Sequence, residues 1–145
     1  MFVKTILDEK GPELIRVSQI DAVRDVARLF KVERIGFAVV EDVAKVPVGT
    51  ISERDIVQAL AVHEGIGHLK VAEIMTQKMV SVAPDEALET VRQIMTEQRT
   101  RHVLVKQAGK LVGVVSIGDL VKHSLAECQV DTDQMRDYIG GRGYQ

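Results

Sequence analysis

VGTISERDIV (48–57) and VGVVSIGDLV (112–121) are nearly the same phrase written twice. Each closes a longer stretch that also repeats: VSQIDAVRDVARLFKVERIGFAVV (17–40) lies over VAPDEALETVRQIMTEQRTRHVLV (82–105). The phrases superpose with a shift of 112 − 48 = 64 and the longer stretches with 82 − 17 = 65, so the copies differ by one residue between Val40 and Val48. A gap of that size belongs in a hairpin loop, where insertions are tolerated. Duplication sets the architecture as two copies of one supersecondary unit. Each copy spans roughly 55 to 60 residues, a length at which a lone core is marginal, so the copies are expected to pack on each other.

Identities between the copies fall at Val17/Val82, Ala22/Ala87, Val26/Val91, Arg34/Arg99, Val40/Val105, Val48/Val112, Gly49/Gly113, Ser52/Ser116, Asp55/Asp119 and Val57/Val121. Apolar matches follow from patterning alone. A glycine, a serine and an aspartate kept at one spacing need a local reason.

Each copy reads as strand, helix, strand, strand, helix. Leu14–Val17 and Met79–Val82 begin the copies as short strands. Ala22, Val23, Val26, Leu29 and Phe30 form one apolar helix face; Ala87, Leu88, Val91, Ile94 and Met95 form the other. Asp85 and Glu86 are expected in the first turn of the second of these helices, at the positive end of its dipole. Phe37–Val40 with Val48–Ile51, and Val103–Val105 with Leu111–Val115, make a hairpin in each copy. VAEIMT (71–76) resembles VKTILD (3–8), and both read as short lead-in helices. The domain boundaries follow as 1–69 for the first copy with its lead-in, 70–126 for the second, and 127–145 for a helical tail whose Gly-rich end frays.

Composition narrows the function. A net charge of −2, 3% aromatic residues and no Trp argue against nucleic acid or an anionic membrane as main partner. Cys128 is the single cysteine, which excludes an intramolecular disulfide, and no stretch approaches the roughly 20 apolar residues of a membrane span. A reducing, cytoplasmic setting is expected. His63 and His68 read as loop histidines and His123 as a helix-surface residue; Met75, Met79 and Met95 read as core filler, so no metal site is expected. No Ser, His and Asp set suggests nucleophilic catalysis.

The remaining chemistry lies in Gly49, Ser52, Asp55 and in Gly113, Ser116, Asp119. At a strand-to-helix junction the hydroxyl sits at the helix N-terminus, with the carboxylate one turn on and beside unpaired amides. Such a carboxylate suits the vicinal hydroxyls of a ribose, and the amide-rich terminus suits a phosphate. The same spacing is also a capping box, which needs no ligand. Duplication with the glycine, which permits close backbone approach, makes the ligand reading at least as strong as the cap alone.

GTISERD and GVVSIGD, each ending a βαββα copy, with RHVLV ahead of the second hairpin, resemble the paired CBS domains, also called the Bateman module, in their stand-alone bacterial form. The resemblance covers about Val3 to Ser124. It implies an α+β fold of two tandem βαββα repeats packed with pseudo-twofold symmetry through their sheets, forming two clefts that take adenosyl ligands such as AMP, ADP, ATP, NAD or S-adenosylmethionine. Carried over position by position, it implies Asp55 and Asp119 on the ribose hydroxyls, and Ser52 and Ser116 on ribose or phosphate. It implies an adenine pocket from Ile15, Ile35 and Gly36 in one copy and Val80 and Thr100 in the other.

The copies differ around this motif. Arg101 and His102 replace Gly36 and Phe37, and Arg54 faces Gly118. Arg54, Arg101 and His102 are therefore expected to collect phosphates, with unequal clefts. The function so implied is a non-catalytic energy or metabolite sensor without a prosthetic group, whose nucleotide is able to carry Mg²⁺. A homodimer acting on an outside protein is expected; the alternative is a dimerisation scaffold with vestigial clefts.

Overall fold

The computed structural model describes residues 1–11 and 13–137, without the side chains of 127–133 and 137. The Gly-rich end of the tail and the Cys128 side chain lie outside what is described. The fold is α+β. The chain divides into two compact units: Glu13–Ser81, and the N-terminal helix together with the residues from Val82 onward.

In Glu13–Ser81, β1 (Arg16–Ser18) leads into α2 (Val23–Glu33), and β2 (Phe37–Glu41) and β3 (Pro47–Ser52) form a hairpin that feeds α3 (Glu53–Val62). The sheet order is β1-β2-β3, with β1 parallel to β2 and β3 antiparallel to it. The other unit holds α1 (Val3–Lys10), β4 (Ser81–Val82) at its boundary, α4 (Leu88–Gln98), β5 (His102–Gln107), β6 (Lys110–Ser116) and a long α5 (Ile117–Asp137), with order β4-β5-β6. Each hairpin bulges at the same place, after Val40 and after Val105. The equivalent pairs Glu41↔Pro47 and Lys106↔Leu111 then enclose positions 42–46 in one copy and 107–110 in the other. The one-residue difference sits in the hairpin loop, as the repeat register predicts.

Apolar faces fall where the helical spacing puts them. Val26 and Phe30 of α2 pack with Val17, Ala38, Val40 and Ile51, and Val71 completes that core. In the other unit Leu88, Val91 and Met95 of α4 are buried. Both helices end on a left-handed arginine, Arg34 at φ 54° and Arg99 at φ 53°. In each the following amide returns to the helix, Ile35 N to Phe30 O and Thr100 N to Met95 O, both at 3.1 Å. The Arg34/Arg99 identity thus marks a shared helix stop.

Two local expectations need correction. Asp85 and Glu86 precede α4, whose first-turn acid is Glu89. The Glu86 carbonyl accepts from Val3 N at 3.0 Å and Ala87 pairs with Phe2, which holds the backbone extended up to the helix start. VAEIMT makes only a 3₁₀ turn at Val71–Glu73. Thr76 exchanges both backbone bonds with Thr50, at 2.8 and 2.9 Å, and a residue so paired cannot also continue a helix.

The shared glycines belong to this docking. A Cβ at Gly49 would stand 2.6 Å from the Thr76 carbonyl oxygen, and one at Gly113 would stand 2.6 Å from Leu7 Cδ2. Backbone cannot yield as a leucine tip can, so Gly49→Ala should cost the upper part of the ~1–3 kcal/mol typical of overpacking and Gly113→Ala the lower part. Urea unfolding of the two variants checks the order, and coupling of Gly113→Ala to Leu7→Ala in a double-mutant cycle checks the cause.

Candidate functional site

Strand pattern gives way to helix at Ser52, which keeps extended angles while α3 begins at Glu53. Its Oγ accepts from Asp55 N at 3.2 Å, and Asp55 Oδ2 accepts from Ser52 N at 2.9 Å and from Ser52 Oγ at 3.1 Å. The second copy repeats the arrangement: Ser116 Oγ accepts from Asp119 N at 3.1 Å, and Asp119 Oδ2 from Ser116 N at 2.9 Å. Both motifs are complete capping boxes. The first helical amides are bonded too, Glu53 N to Gly36 O at 3.0 Å and Ile117 N to Arg101 O at 2.8 Å. The expected bank of unpaired amides is therefore partly occupied. The shared glycine, for its part, is accounted for by packing against the lead-in segments rather than by a ligand's approach.

Two residues that sequence reasoning passed over reach the carboxylates. Thr76 Oγ1 donates to Asp55 Oδ1 at 2.9 Å. Lys10 Nζ donates to Asp119 Oδ2 at 2.8 Å and to Val114 O at 3.0 Å. The signal was present in the lead-in similarity. Extending VKTILD over VAEIMT sets Lys10 against Lys78 and Asp8 against Thr76.

Electrostatics around Asp119 follow from Lys10. Burial acts to raise the Asp119 carboxyl, but the Lys10 ammonium and the Ser116 donors hold it below its ordinary 3.8. His102 is lowered to about 4 by burial first and by Lys10 and Arg101 next, with Asp119 opposing. A histidine at that value is neutral at pH 7. In the empty protein it therefore offers phosphate a neutral hydrogen-bonding ring, not a charge.

The other expected site residues divide between the units. Ile15 and Ile35 are half-buried and pack on the core of Glu13–Ser81. Gly36 belongs to the same unit, where the Glu53 side chain lies against it: a Cβ there would stand 2.7 Å from Glu53 Cδ. Arg54 is exposed on the first turn of α3. Arg101 is exposed just before β5, in the other unit. Val80 falls in the unit Glu13–Ser81 and Thr100 in the other. The Thr100 hydroxyl donates to His102 O at 3.0 Å and accepts from His102 N at 3.3 Å. Among the described residues no cluster of His, Cys, Asp or Glu is arranged to hold a metal ion, and no helix is long and apolar enough to cross a membrane.

The CBS-domain family model matches residues 7–62 and again 71–126. The chain belongs to the CBS-domain family. Its relatives include the mitochondrial CBS domain-containing protein CBSX3 of Arabidopsis thaliana, 34% identical over 99 residues, or 66% of this chain and 48% of that one. The chain thus spans about half the length of that relative. A CBS-domain protein of Agrobacterium tumefaciens superposes with a TM-score of 0.81 at 35% identity, covering 83% of this chain and 91% of the other. A CBS domain protein of Pyrobaculum aerophilum, solved in complex with AMP, gives 0.72 at 29% identity over 83% and 90% of the two chains.

The depressed His102 value fixes the sign of a pH effect. Between pH 6.5 and about 4 the unfolded chain takes up a proton at position 102 that the folded chain refuses, so stability falls as pH drops through that window. Asp119 acts in the same direction lower down, its contribution complete above 3.8 and lost as pH falls through its folded value. Urea unfolding at a series of pH values should show a shallower fall between 6.5 and 4 for His102→Gln than for wild type; parallel curves would refute the burial of a neutral ring.

Proposed function

We propose that this CBS pair is a non-catalytic regulatory module that reversibly binds an adenosyl ligand and reports its level to another protein. Asp55 and Asp119 take the ribose hydroxyls, with Ser52 and Ser116 beside them. Arg54 and Arg101 supply charge for phosphate, and His102 a neutral hydrogen bond. Ile15, Ile35 and Gly36 in the first copy, and Val80 and Thr100 in the second, border the adenine. The ligand is AMP, ADP, ATP, NAD or S-adenosylmethionine, with Mg²⁺ as a companion of the polyphosphates, and the setting is cytoplasmic.

One observation carries this reading: both copies hold a carboxylate at the same capped junction, at the positions the family's motif assigns to ribose, and a relative at 29% identity was solved in complex with AMP. A homodimer is part of the proposal. Val57, Leu60 and Val62 on α3 and Val121 and Leu125 on α5 are exposed apolar side chains that association would cover. The scaffold alternative also has an observation in its favour, because each carboxylate is already engaged as a cap and held by Thr76 or Lys10.

Thermal shift and isothermal titration separate the two. A ligand at about 100 times its dissociation constant adds roughly 2.7 kcal/mol to stability. Wild type is expected to respond to at least one of the five compounds, and the Asp55→Asn, Asp119→Asn double variant, which keeps an acceptor for each cap, to lose the response. No response from wild type to any of them decides for the scaffold.

A further inference from the structure

The two carboxylates are not held alike. Asp55 is engaged through both oxygens, Oδ2 by Ser52 and Oδ1 by the neutral hydroxyl of Thr76. Asp119 is engaged at Oδ2 by Ser116 N and by the Lys10 ammonium. Neither of these two bonds uses Oδ1 of Asp119, the oxygen a first diol hydroxyl can meet without displacing Lys10. A diol that uses both carboxylate oxygens must compete with Lys10 for Oδ2.

Lys10 is placed to yield. It is the last residue of α1, ahead of Gly11 at φ 85°, and its side chain and that of Asp119 are 31% and 22% exposed. An ion pair so open to solvent is weakly held. An ammonium carries three donors, of which Asp119 and Val114 take two. At Asp55 the lead-in segment supplies the neutral hydroxyl of Thr76 to Oδ1. On the same side of the comparison, Glu53 adds a carboxyl where the second copy has Ile117.

We propose that Lys10 is a specificity-determining residue: it neutralises Asp119 while the site is empty and, released when a ribose diol takes that carboxylate, pairs with the phosphate of the same nucleotide. The Asp119 site thereby selects adenosyl ligands that bear a phosphate over those that do not. The proposal rests on the reading of Asp119 as the diol partner.

Titration with AMP and with adenosine, which share the diol and differ in the phosphate, tests it in the Asp55→Asn background so that the Asp119 site is read alone. The parent should prefer AMP. Lys10→Met should reduce the ratio of AMP to adenosine affinity about tenfold or more, the order expected of one charge-assisted contact, while leaving adenosine binding equal or tighter. Lys10→Arg, which keeps the charge, should retain the preference, and circular dichroism of the empty proteins controls for folding. An unchanged ratio in Lys10→Met overturns the role of Lys10 with the sensor reading intact. Adenosine and AMP both failing to bind the Asp55→Asn parent, when wild type binds AMP, overturns the assignment of Asp119 and the proposal with it.

Discussion

Backbone hydrogen bonds made by the two lead-in segments are what the rest of the structure depends on. Val3 N, Lys4 N and Leu88 N bond to Glu86 O, Pro84 O and Met1 O; Val71 N, Ala72 N and Val23 N bond to Asp21 O, Gln19 O and Leu69 O. These are the same three bonds made twice at equivalent positions. In both cases the segment docks on the turn that starts the first helix of a repeat, and the repeat it serves is the one it does not precede. The N-terminal lead-in serves the second repeat, and the segment between the repeats serves the first. A repeat in sequence is thus not a unit in space, and a short core that would be marginal alone is completed by chain from elsewhere.

That docking explains the contents of the site. It delivers Thr76 to Asp55 and Lys10 to Asp119, and it leaves no room for a Cβ at Gly49, against the Thr76 carbonyl, and little at Gly113, against the Leu7 tip. Capping and binding do not exclude one another. A cap is worth about 1 kcal/mol and consumes one lone pair of a carboxylate that has about four acceptor positions. An exposed ion pair contributes about 1 kcal/mol or less, so a ligand that offers a diol and a phosphate can displace Lys10 at small cost.

Much of this was legible in the chain. The duplicated register gave the βαββα order, the hairpins and the loop that absorbs the single-residue difference, because strand and helix periodicity speak locally. Ser52 and Ser116 were legible as caps for the same reason. Lys10 and Thr76 were not, since each acts on a carboxylate about a hundred or about twenty residues away, and the likeness of VKTILD to VAEIMT marks the two segments while setting Lys10 against Lys78 rather than Thr76. The neutrality of His102 was not legible either, because it comes from burial and from Lys10, neither of which the sequence around RHVLV states. The glycine was given to a ligand when a carbonyl and a leucine had already claimed its space.

Duplication set two equal junctions, and substitution then made them unequal in charge. The first carries Glu53, Arg54 and Asp55 with a neutral Thr76; the second carries Asp119 with Lys10 bonded to it and Arg101 close enough to His102 to lower its pKa. Lys10 and Arg54 are both exposed, but Lys10 already faces the carboxylate of its junction at 2.8 Å. If both junctions take the same sugar, the difference in affinity between them therefore lies in the charged end of the ligand. Two junctions that meet the charged end with different cations would weigh the phosphorylation state of a nucleotide differently, which two identical sites could not do.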